Sequence, residues 1–158
     1  MKVFISYSTA DDQIVALRLQ TLAVVSMEDV TVYVPPAFTR HSFNGMLNPV
    51  VAHQLRESDV VLAVMIHNPA QSAVDEMNLA LHEQKPLIPL ISPSVSSDSY
   101  ASFPHFLLDP SDPSKAEADI VRHLATLPRP GNGWNKPLLA LCTLALGMIL
   151  VSANADSR

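Results

Sequence analysis

The side chains of this 158-residue sequence whose types and positions could serve chemistry are one carboxylate and a small set of hydroxyl and basic groups. Glu76 falls near the start of a segment, 71–84, that reads as a helix. The helix dipole favours a carboxylate there, and taken alone Glu76 reads as a solvated helix-start charge. Its neighbour Asp75 points about 100° away around the helix, so the two do not form a carboxylate pair. Ser6, Tyr7 and Ser8 end an apolar opening run, where their simplest role is to make the turn and cap the next helix. His67 and Asn68 follow another apolar run, at 59–66, and Arg40 with His41 is the basic cluster of a long loop at 35–45. The remaining histidines, His53, His82, His105 and His123, show no metal-ligand pairing on one helix face. Cys142 is the single cysteine, which excludes a disulfide within the chain and any CxxC zinc or redox motif. No G-x-G-x-x-G follows a strand, so dinucleotide binding through a glycine turn is not supported.

Strand-like and helix-like segments that alternate over residues 1–127 must position these groups. Strands are expected at 2–6, 30–34, 59–66, 87–91 and 105–108, and helices from Ser8 or Thr9 to 26 and at 46–57, 71–84 and 114–127. The run VVLAVMI at 60–66 is apolar throughout, as in a strand covered on both faces. Val15, Leu19 and Leu22 are expected on the core face of the first helix, Leu47, Val51 and Leu55 on that of the second, and Ile120, Leu124 and Leu127 on that of the last. Pro89 argues that its strand ends there or is edge-like. The order predicts a flavodoxin-like, five-stranded parallel sheet with helices on both faces. Ligands of such sheets sit at the C-terminal ends of the strands, here the stretches 6–9, 35–45 and 67–72.

Apolar residues make up 48% of the sequence, with a local excess at 137–153, PLLALCTLALGMILVSA, seventeen positions without a charge. The layout is therefore a domain at 1–127, a Pro/Gly linker at 128–136, an apolar helix at 137–153 and a polar tail at 154–158. Residues 1–127 carry seven Lys/Arg against fourteen Asp/Glu, a balance of −7; residues 128–158 carry three against one, a balance of +2. Nucleic acid is a poor partner for so acidic a domain, because that affinity rests on neutralising phosphates. As a helix the apolar segment would reach about 25 Å, a little short of a hydrocarbon core of about 30 Å. Trp134 and Lys136 flank it as interfacial anchors do, and Arg122, Arg129 and Lys136 precede it, which would hold the first domain on the cytoplasmic side of a membrane. The alternative is a cytoplasmic protein whose apolar helix is buried in a homo-oligomer or against a partner. The opening does not read as a signal peptide, and one thiol fits a reducing cytosol.

Four blocks in order, Phe4-Ile5-Ser6-Tyr7-Ser8 with Asp11-Asp12, Ser58-Asp59-Val60-Val61, Glu76-Met77-Asn78-Leu79-Ala80-Leu81, and Lys85-Pro86-Leu87-Ile88-Pro89-Leu90, resemble the Toll/interleukin-1 receptor (TIR) domain family in its bacterial form. The resemblance covers about 1–127 and sets 35–45 where that family has its BB loop. It implies cleavage of the nicotinamide–ribose bond of NAD, with NAD as substrate and no bound cofactor, in a defence or signalling response. Glu76 is then the catalytic carboxylate, and Ser6, Tyr7, Ser8, Pro35, Phe38, Arg40, Phe43, His67 and Ser72 are the residues expected to contact the substrate. Many catalytic members carry an aromatic a few residues before the Glu; here 71–76 reads QSAVDE, which leaves Phe38, Phe43 or Tyr7 to supply a ring. The resemblance also implies self-association through the 35–45 loop and a trigger from another TIR or sensor protein. The competing expectation is a non-catalytic, membrane-anchored TIR interaction module; a nucleoside-processing enzyme of a related α/β fold is a third.

Overall fold

The computed structural model describes residues 1–39, 46–95 and 105–127, so the 137–153 helix expected from the sequence lies outside the described residues. Five strands, β1 (Lys2–Ser6), β2 (Thr31–Tyr33), β3 (Val60–Met65), β4 (Leu87–Ile91) and β5 (Phe106–Leu107), pair in parallel in the order β2-β1-β3-β4-β5. That is the flavodoxin-like strand order. Helices α1 (Ala10–Ser26), α2 (Pro49–Glu57) and α3 (Gln71–His82) connect β1 to β4 in turn, and α4 (Ser114–Thr126) follows β5. Among the described residues, no helix is long and apolar enough to cross a membrane.

Alternation along the strands sorts the core into two layers. Val3, Ile5, Val60, Leu62 and Val64 face α1 and α4. Phe4, Val61, Ala63 and Met65 face α2 and α3. All six residues of β3 are buried, as its uninterrupted apolar run requires.

Hydrogen bonds account for the motif residues that carry no core side chain. Asp59 accepts from the Lys2 amide at 2.7 Å and returns its own amide to the Lys2 carbonyl at 2.8 Å, which pins the start of β1 to β3. The Ser58 hydroxyl closes on the Leu55 carbonyl. Lys85 donates to the carbonyls of Arg56 and Ser58 at 2.6 and 2.7 Å, occupying acceptors that the end of α2 leaves open. Helix α3 ends in a Schellman pair, Lys85 amide to Ala80 carbonyl and Gln84 amide to Leu81 carbonyl, with Gln84 at φ 54.

Several sequence expectations shift. The Asn48 side chain caps the Val50 amide and Pro49 opens α2, so that helix starts three residues after 46 and leaves Leu47 outside it. Leu22 is 38% exposed, and Ala23 takes its place on the core face of α1. Pro89 lies inside the sheet, in register with Ala63. Pro86 and Ser92 bond to β3 while Ile91 bonds to Leu108, so the odd residues of β4 face β5. Proline's missing N–H thus faces the side where β5 begins only at Phe106, opposite Leu90.

The β1–α1 loop is fixed by Asp12, which has no exposed surface. Its Oδ2 accepts from the amides of Ser8 (3.0 Å) and Thr9 (2.8 Å), and Oδ1 accepts from the Ile66 amide (2.7 Å) just past β3. Thr9 completes a capping box by accepting from the Asp12 amide. Asp12→Ala strands these donors at least partly buried and is expected to destabilise the fold by about 3 kcal/mol, while Asp12→Asn, which keeps an acceptor, loses less. Urea midpoints at unchanged m-value measure both; an Asp12→Ala midpoint equal to the parent's contradicts the role given to this carboxylate.

Candidate active site

Ser6 is the last residue of β1 and shares a sheet face with Phe4, the face covered by α2 and α3. Its hydroxyl donates to Glu76 Oε2 at 2.5 Å. Ser6 is 1% exposed and Glu76 0%. Glu76 stands in the second turn of α3, with Val74, Met77 and Ala80 of the same helix packed against the sheet. It is therefore a buried, oriented carboxylate and not the solvated helix-start charge that its position suggests. Asp75 is separate, accepting from Gln71 of its own helix at 2.8 Å.

The third member of the site was not among the residues expected from the sequence. Tyr33 ends β2 in register with Phe4, and the two rings lie 5.7 Å apart at 33°. Burial raises the Tyr33 phenol above its ordinary pKa, and the negative charge of Glu76 raises it further. The aromatic that feels the charge of the carboxylate is thus Tyr33, where Phe38, Phe43 or Tyr7 was expected to supply the ring. Strand alternation could have found Tyr33 only with the β2–β1 register in hand, and a three-residue strand does not declare its register.

The other expected contacts divide. Tyr7 packs in the α1–α4 layer, across the sheet from Glu76, and its hydroxyl donates to the Pro35 carbonyl at 2.5 Å. Ser8 Oγ accepts from the Ala70 amide at 2.9 Å and so ties the β1–α1 loop to the entry of α3. Ser72 is half-buried in the first turn of α3. His67 is exposed at the rim, with Nε2 3.6 Å from Asp11. Phe38 is 80% exposed in a 3-10 turn at Ala37–Thr39. Arg40 and Phe43 lie outside the described residues. Among the described residues no group of His, Cys, Asp and Glu could hold a metal ion.

A buried carboxylate held by a hydroxyl, with a phenol ring coupled to it, can stabilise a cation that forms beside it and bind a polyol by hydrogen bonds. The Tyr33–Glu76 coupling is directly measurable. Tyr33→Phe identifies the Tyr33 step in a phenolate absorbance titration, and Glu76→Gln is expected to move that step to lower pH by removing the repelling charge. An unmoved step contradicts the proximity. The folded chain holds this proton more tightly than the unfolded one. The corresponding stability is therefore complete below the ordinary phenol pKa and is lost as the pH rises through the raised value.

No protein-family model matches the chain, and no curated protein matches it.

Proposed function

We propose that the chain is a TIR-type NAD glycohydrolase with Glu76 as its catalytic carboxylate. The observation that carries this reading is the Ser6–Glu76 hydrogen bond, which joins residues of two motifs seventy positions apart in sequence. In the proposed reaction the bond between ribose C1′ and the nicotinamide nitrogen breaks, and its electron pair leaves with nicotinamide as a neutral base. The ribose becomes oxocarbenium-like, as in glycoside hydrolysis, and the Glu76 carboxylate stabilises that charge. Water then adds at C1′ and releases a proton, giving ADP-ribose. Ser6 orients the carboxylate, and the Tyr33 ring is the aromatic surface available to the departing base.

Glu76 has no exposed surface, so substrate reaches it only after the groups above it move apart. This fits activation by assembly, in which contacts between copies through the 35–45 loop open and complete the pocket. The same burial favours the second reading, a non-catalytic TIR interaction module in which Ser6–Glu76 is an internal structural bond.

Concentrated protein incubated with NAD is expected to release nicotinamide. Glu76→Gln should lower the rate by about a hundredfold or more, and Ser6→Ala by about tenfold through loss of orientation. Circular dichroism establishes that each variant is folded. Equal release from folded Glu76→Gln rejects the catalytic assignment. No release at any density, with assembly intact, selects the interaction module.

A further inference from the structure

Helix α1 carries two apolar stripes where a surface helix needs one. The inner stripe, Val15, Ala16, Leu19 and Ala23, lies in the core. The outer one, Ile14, Leu17, Leu22 and Val25, is spaced by three, five and three residues over a broad face of the helix and is 59%, 46%, 38% and 80% exposed. Part of this stripe walls a groove of about 850 Å³ between α1 and α4. Leu17, Leu22 and Met27 line it on one side, and Ala118, Val121 and Ala125 on the other. There the half-exposed Arg18 pairs with the buried Glu117, its Nη2 3.0 Å from Oε2 and its Nε 2.9 Å from Oε1. Oε1 receives no aligned hydrogen bond, so the groove also holds a buried acceptor with spare capacity.

We propose that this groove is the docking site of the chain's own apolar segment, 137–153. Both surfaces need cover: seventeen residues without a charge, and a helix with an uncovered apolar stripe. The chain runs directly from α4, one wall of the groove, into the nine residues 128–136 and then the segment. Helix-to-helix reversals need only about two to eight residues, so nine suffice to bring the segment back along α4. The 13 residues of α4 span about 20 Å and the segment as a helix about 25 Å, so the lengths match. A second copy on the groove would leave each copy's own segment still to be covered. Tethering also sets an effective concentration of about millimolar, which favours the intramolecular partner over one in dilute solution.

Cys142, the chain's single thiol, lies within the segment and reports on its position. In the full chain, Thr21→Cys and Ala118→Cys place a second thiol at exposed positions lining the groove. A short bismaleimide should join each to Cys142 within one molecule, exceeding any cross-linked dimer by about a hundredfold at micromolar protein. Peptide mapping identifies the product, and Cys142→Ser should abolish it. Val50→Cys on α2, exposed on the opposite side of the sheet, should give none. Leu22→Asp should make Cys142 react with a monofunctional maleimide about tenfold faster, as local cover is lost. Cross-linked dimers that grow with concentration would mean that a second copy fills the groove and would overturn the proposal. Absence of any cross-link overturns it too, and cosedimentation of that chain with phosphatidylcholine vesicles would assign the segment to a membrane instead.

Discussion

Asp12 sits where the chain can least tolerate a loose charge, at the C-terminal edge of the sheet with no surface in water. A buried carboxylate is costly unless its oxygens are fully bonded. Here the donors come from two different loops, Ser8 and Thr9 after β1 and Ile66 after β3. Satisfying one charge therefore fixes the separation of two strand ends. Ser8 repeats the tie one shell out, through the Ala70 amide at the entry of α3. With the end of β1 and the start of α3 fixed to each other, the positions of Ser6 and Glu76 follow. Their 2.5 Å bond depends on this frame more than on any property of the two residues alone.

The site borrows its environment from the packing. Ser6, Phe4 and Tyr33 share one face of the sheet, and Val61, Ala63, Met65, Val74 and Met77 form the apolar layer on that face. A charge in such surroundings acts over a longer range than in water, because little solvent screens it. The Glu76 charge adds to burial in raising the phenol of Tyr33, a residue only partly buried. The same low screening would strengthen its effect on a cation developing beside it.

The fold was legible because its signals are local and repeated. The apolar run of β3, the spacing of Val15 with Leu19 and of Ile120 with Leu124, and the turn residues between elements each constrain one segment. What failed was set by neighbours. Leu22 and Ala23 fit the core face of α1 almost equally by spacing, and packing against the sheet chose Ala23. Pro89 reads as an edge residue, and it is interior only because its nitrogen faces the short β5. The motif blocks divide in the same way. Asp59 and Lys85 hold strand register and a helix end, so they specify the scaffold. Of the motif residues, Ser6 and Glu76 alone meet in the candidate site. Tyr33 stood outside every motif because its place depends on strand pairing, which sequence does not state.

The acidic charge of residues 1–127 and the apolar excess at 137–153 look like separate features in the sequence, but α1 connects them. Among the described residues, five of the nine large exposed apolar side chains lie on α1, at Ile14, Leu17, Leu22, Val24 and Val25. Scattered exposed hydrophobics are ordinary, whereas a broad apolar helix face beside a groove marks a surface that meets another one. It lies across the sheet from Glu76 and Tyr33, since α1 and α4 cover one face while α2 and α3 cover the other. A contact made on the α1–α4 face therefore leaves the carboxylate side unobstructed. The two faces divide the work: one holds the buried carboxylate that could do chemistry, and the other carries the apolar surface through which the chain is covered.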